Sequence, residues 1–164
     1  GTGAMADYDN VGNIPPWREI YRDVTAVVIG DGITHIGNRA FRGFNRLLTV
    51  TFGKDVETIG YEAFYVCNKL TTVTLNEGLT DIGSLAFYGC TALAEIEIPS
   101  TVATLNNRAF KGAGLPVYDI MDLRDMAEKL NGKPHKPVLG DKEVAKVIYR
   151  DGTHLDTIYN VPVK

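Results

Sequence analysis

Two cysteines, three histidines and two serines are the residues of this chain that could support nucleophilic or metal chemistry. Cys67 and Cys90 stand 23 residues apart. A thiolate nucleophile needs exposure and a neighbouring base, and a zinc site needs further Cys or His ligands. His35, His135 and His154 are scattered, with none in the cysteine column. Ser84 and Ser100 lie outside any Gly-x-Ser-x-Gly elbow. Asp7-Tyr8-Asp9-Asn10-Val11-Gly12 opens like a calcium loop, but Val11 and Arg18 stand where an oxygen ligand and the bidentate Glu belong. Gly1-Thr-Gly-Ala-Met-Ala6 has the spacing of a dinucleotide fingerprint without the preceding strand. No Gly-x-x-x-x-Gly-Lys cradle occurs. The sequence therefore predicts a non-enzyme with no catalytic residue, no cofactor and no metal.

What would position such residues is a repeat. Ile36, Ile59, Ile82 and Leu105 are spaced by 23, as are Ala40, Ala63, Ala86, Ala109 and Phe41, Phe64, Phe87, Phe110. Two further ladders run Ile33, Val56, Leu79, Val102 and Val27, Val50, Val73, Ile96. A fixed period of this length signals stacked coils, each burying its apolar face on the next. Leu-x-x-Val-x-Leu (Leu70, Val73, Leu75) alternates apolar and polar positions and predicts short parallel strands at about 25–29, 48–52, 71–75, 94–98 and 116–120. Ile-Gly-x-x-Ala-Phe has the spacing of a short helical or 3₁₀ turn opposite. Its Gly37, Gly60 and Gly83, replaced by Asn106 in the fourth copy, are expected to serve a positive φ or a close backbone approach. Cys67 and Cys90 share a column with Phe44 and Ala113. Adjacent coils bring these thiols together, so a disulfide and a pair of buried free thiols both stay open, and the apolar column favours the latter.

Leu-x-x-Val-x-Leu followed by Ile-Gly-x-x-Ala-Phe-x-Gly-Cys resembles the BspA-like, or treponemal-type, leucine-rich repeat, over about residues 24–120. That family is found mostly in secreted or surface-exposed proteins of bacteria, and of some protists, that live with animal hosts. The resemblance implies an extracellular or cell-surface location and a role in adhesion or host-protein binding.

The fold class that follows is an α/β solenoid: a right-handed leucine-rich-repeat superhelix with short parallel strands, a helical N-cap, and a C-terminal helix plus β-hairpin. Residues 1–6 look like an expression scar and are excluded from fold reasoning. Residues 7–23 form the N-terminal cap, with Pro15-Pro16 opening a short amphipathic helix and Trp17, the single tryptophan, plugging the first coil. Residues 24–120 hold the repeats. Residues 121–164 form a C-terminal cap or a small β appendage. In it a helix runs to Asn131-Gly132, a proline-broken linker follows, and Asp151-Gly152 joins two β-rich runs.

A net charge of −3 without a Lys/Arg block argues against nucleic acid, and no apolar run is long enough for membrane insertion. Function is expected on the surface of a monomer. The outward strand positions are Ala26 and Val28, Thr49 and Thr51, Thr72 and Thr74, then Glu95 and Glu97, on what should be a concave face. Threonine is also a good strand former on any wet surface. Tyr61, Tyr65 and Tyr88 offer a second surface near the turns, although stacking between coils explains them equally well. The expected partner is a protein, such as a host matrix or plasma protein, or a glycan. A structural spacer and a non-catalytic accessory module of a larger secreted protein are the alternatives.

Overall fold

The structure, a computed structural model, describes residues 1–9, 11–94, 96, 99, 101–105 and 108–114, together with two short strands at 138–139 and 142–143. Each 23-residue coil contributes to two parallel sheets. The first consists of β2 (Ala26–Val28), β4 (Thr49–Thr51) and β6 (Thr72–Thr74), paired Val27↔Val50↔Val73. These match the first three predicted strands. The fourth and fifth fall mostly or wholly outside the described residues.

A second sheet was not anticipated. Its order is β1 (Gly3–Ala4), β3 (Ile33–Ile36), β5 (Thr58–Ile59), β7 (Asp81–Ile82) and β8 (Thr104–Leu105), all parallel. It is built on the Ile33 and Ile36 columns, which share one hydrophobic core with Val50 and Val73 of the first sheet. Residues 1–6, set aside on sequence grounds as an expression scar, supply its edge strand: Gly3 pairs with Ile33, and Met5 N–H donates to the His35 carbonyl at 2.9 Å.

The third side of the coil is not a helix. It is a run of β-turns, closed by bonds such as Ala63 N–H to Gly60 O and Tyr65 N–H to Glu62 O. Each run needs two left-handed residues. One column is Arg39, Glu62, Leu85 and Arg108, with φ between 54° and 60°; the other is Gly43, Val66, Gly89 and Gly112. The repeat glycines play a different part. Gly60 and Gly83 stand where an added Cβ would come within 2.7 Å of the backbone of the preceding coil. Of the two expected uses, close approach is the one realised, and the positive φ lies two residues further on. Asn106 is outside the described residues.

The interior is a set of columns. Leu47, Leu70 and Leu93 are fully buried, as are Ala40, Ala63 and Ala86. Phe41, Phe64, Phe87 and Phe110 stack face to face at 5.2 Å, within 10° of parallel. Pairs in this geometry contribute about 0.5–1.5 kcal/mol beyond area burial. Cys67 and Cys90 are buried free thiols, and their S–H groups donate to Phe41 O and Phe64 O at 3.2 and 3.3 Å. Burial pushes the Cys90 thiol up to about 12 and Cys67 well above the ordinary range.

The N-terminal cap completes the first coil. Trp17 stacks on Phe41 at 5.5 Å, at the head of the phenylalanine column. The amphipathic helix expected here is a single 3₁₀ turn, η1 (Arg18–Ile20), and Ile20 stays exposed. In the C-terminal region, β9 (Val138–Leu139) and β10 (Lys142–Glu143) pair antiparallel. The predicted helix over 121–130 and the hairpin about Asp151-Gly152 lie outside the described residues.

Candidate functional site

The first sheet presents its alternate residues outward because the inward ones, Val50 and Val73, are taken by the core. In-register pairing builds two outward columns: Ala26, Thr49, Thr72 and Val28, Thr51, Thr74. Val28, Thr51, Thr72 and Thr74 are exposed and Thr49 is half-buried. Val28 is 76% exposed, a large value for a valine. Leu48, just before Thr49 in the chain, is exposed as well. Beside it, the Thr71 hydroxyl donates to the Leu48 carbonyl at 3.1 Å. Glu95 and Glu97 fall outside the described residues.

The stacking between coils that the sequence allowed for is present in two of the tyrosines. Tyr65 and Tyr88 stack on each other at 5.0 Å, 6° from parallel, so their rings bridge adjacent coils. Tyr61 lies under the Arg39 guanidinium and Tyr65 under that of Arg42, each at 4.9 Å. Between the arginines sits Glu62, whose side chain is only 10% exposed. Its Oε2 accepts from Arg39 Nε at 2.9 Å and pairs with Arg42 Nε at 3.3 Å. A hydrogen bond to this carboxylate, aided by burial, raises the Tyr61 hydroxyl above the usual tyrosine value.

Arg39, Arg42 and Glu62 escaped the sequence reading, yet the period carries them. Arg39 and Glu62 are opposite charges 23 apart, and Arg42, Tyr65 and Tyr88 share a column. Other contacts obey the same interval. His35 Nδ1 meets Thr58 Oγ1 at 2.6 Å, and Asn38 Oδ1 accepts from Tyr61 N–H at 2.6 Å. His35 Nε2 also faces Asp7 Oδ1 at 3.3 Å, and Asp7 is held below the ordinary carboxylate range chiefly by the Asn38 amide. His135 and His154 lie outside the described residues. Among the described residues, no group of three His, Cys, Asp or Glu could hold a metal ion, and no helix is long and apolar enough to cross a membrane.

Solved structures share this architecture. A leucine-rich repeat protein from Eubacterium ventriosum is 33% identical, with a TM-score of 0.64 over 70% of this chain and 30% of that one. A leucine-rich repeat protein from Bacteroides ovatus is 26% identical, with a TM-score of 0.50 over 55% of this chain and 28% of that one. The citrate lyase alpha chain of Klebsiella pneumoniae is 43% identical over 51 residues, 31% of this chain but 10% of that subunit. The chain thus spans less than a third of each of these proteins. Leucine-rich repeats characteristically mediate protein interaction. The profile of the BspA type leucine-rich repeat region, in six copies, matches residues 20–127, and with that span, roughly two thirds of its length, the chain belongs to this family.

Proposed function

We propose that this chain is an extracellular or cell-surface binding and adhesion module that engages a protein or glycan through its first sheet. The observation that carries the reading is the in-register outward column Val28, Thr51, Thr74, with Thr49 and Thr72 beside it. Core packing leaves those positions free to vary. A Val left 76% exposed, with Ala26 on the same strand, gives a face otherwise lined by threonine hydroxyls an apolar contact. Glu95 and Glu97 would extend the surface along the sequence period. The location outside the cell rests on the family resemblance.

A second reading is a spacer or non-catalytic accessory module of a larger secreted protein. It draws on the partial coverage, since the chain matches 30% of the E. ventriosum structure. The short likeness to citrate lyase transfers no activity.

The test is a binding screen against matrix proteins, plasma proteins and glycans, run beside a Thr51→Arg/Thr74→Arg variant shown by circular dichroism to fold. Loss of binding in the variant supports the strand face. Unchanged binding moves the site elsewhere, and no binding across the panel favours the spacer.

A further inference from the structure

A cavity of about 340 Å³ lies between the N-terminal segment and the turn side of the first two repeats. That volume sits at the small end of ligand pockets. Arg18, Arg39 and Arg42 all line it, on a chain whose net charge is negative. Glu62 and Asp9 are carboxylates that face these guanidinium groups. Glu62 engages Arg39 and Arg42 through the single oxygen Oε2. Asp9 is occupied by its own loop: its Oδ1 accepts the amides of Val11, Gly12 and Asn13 at 2.7–3.0 Å, which hold it below the ordinary carboxylate range. Among the residues that line the cavity, three guanidinium groups stand with the single carboxylate of Asp9.

The fixed geometry matters as much as the charge. Glu62 and the ring of Tyr61 clamp Arg39, while Arg18 is tied to the Arg42 carbonyl at 2.9 Å. The guanidinium fork matches the two oxygens of a carboxylate. Beside the arginines and Asp9, the wall is formed by Gly43, the Tyr65 ring and the apolar side chains of Ile14, Pro15 and Val66, and a bare inorganic anion would leave that apolar part unused. A ring with C–H faces would cover it.

We propose that this cavity binds a carboxylate-bearing sugar of the uronic or sialic acid class, at a site separate from the strand face. The test is a titration of the ¹⁵N-labelled chain, followed by amide shifts, with sodium glucuronate and N-acetylneuraminate. Glucose and sodium sulfate are the controls. Shifts at Gly43, Tyr65 and Val66 are expected with at least one acid and not with glucose. Arg39→Gln should weaken that binding about tenfold, the loss of a charge-assisted contact. Ile14→Glu, at an exposed position (53%) outside the core, should weaken it by repulsion without disturbing the fold. Thr51→Arg/Thr74→Arg should leave it unchanged, which separates this site from the strand face. The methyl α-glycoside of N-acetylneuraminate, binding as well as the free acid, would assign the terminal unit of a glycan; binding of the free acid alone would assign a soluble sugar acid. Absence of shifts with both acids, equal shifts in Arg39→Gln and Ile14→Glu, or the same shifts with sulfate would overturn the proposal.

Discussion

Trp17 Nε1 donates to the Ala40 carbonyl at 2.7 Å, in the place where the Phe41 amide donates to Ala63 one coil later at 2.8 Å. On the turn side of the first coil, three carbonyls face the N-terminal segment in place of another coil. The chain supplies donors to all three from that segment: Tyr8 N–H to Asn38 O, the Trp17 indole to Ala40 O, and the Arg18 guanidinium to Arg42 O. An unsatisfied buried carbonyl costs about 1–3 kcal/mol. The cap therefore has a polar task as well as the apolar one of covering Phe41.

Substitution separates the two tasks. Trp17→Ala removes ring and donor, and should destabilise the chain by about 2–4 kcal/mol, toward the lower end for aromatic truncation because the ring is half-buried. Trp17→Phe keeps a ring over Phe41 and loses the N–H, for about 1 kcal/mol. Urea unfolding followed by circular dichroism reads both. Equal losses would make the hydrogen bond the whole of the effect, and no loss in either would remove Trp17 from the cap.

Gly83→Ala should destabilise by about 1–3 kcal/mol, because the new Cβ would lie 2.7 Å from Ile59 O and 2.8 Å from the Gly60 carbonyl carbon. Gly30→Ala is the control, since nothing lies within 4 Å of a Cβ there and its effect should stay within about 0.5 kcal/mol. If the two variants melt alike, coil-to-coil approach does not explain the repeat glycine.

What the sequence made legible was whatever the 23-residue period writes in apolar letters: the phenylalanine stack, the alanine column and the strands about Val50 and Val73. Trp17 was legible by its place ahead of the first repeat. The left-handed column Arg39, Glu62, Leu85, Arg108 was not, because it contains none of the residues that usually announce a positive φ. Val66, β-branched in a column of glycines, hides the second such position in one coil. On the candidate surfaces the strand-face columns followed from strand alternation. The arginine–glutamate–tyrosine cluster was missed because the period was applied to core residues and not to charges. The edge strand Gly3–Ala4 was missed because composition alone made residues 1–6 look foreign to the fold.

The buried thiols give a pH dependence with a defined sign. A thiol whose folded value lies above its unfolded value near 9.0 holds its proton longer in the native state. Its contribution is intact below about pH 9 and is lost as pH climbs toward the folded value, about 12 for Cys90. Each thiol adds up to about 1.4 kcal/mol per pH unit to the fall. Stability measured between pH 8.5 and 11 should decline less steeply in Cys90→Ala than in the parent chain. Parallel slopes would show that Cys90 is not held as a buried thiol. Iodoacetamide at pH 8 should leave both cysteines unmodified until urea is added.

The most direct test of the binding account compares the parent chain, Thr51→Arg/Thr74→Arg and Ile14→Glu against the strongest partner in the matrix, plasma and glycan panel. Surface plasmon resonance at fixed salt gives the affinities, and thermal melts verify the folds. The strand-face account predicts at least a tenfold loss in the threonine double variant at an unchanged melting temperature, with full binding in Ile14→Glu. Parent-like affinity in the double variant, or no partner anywhere in the panel, would contradict it.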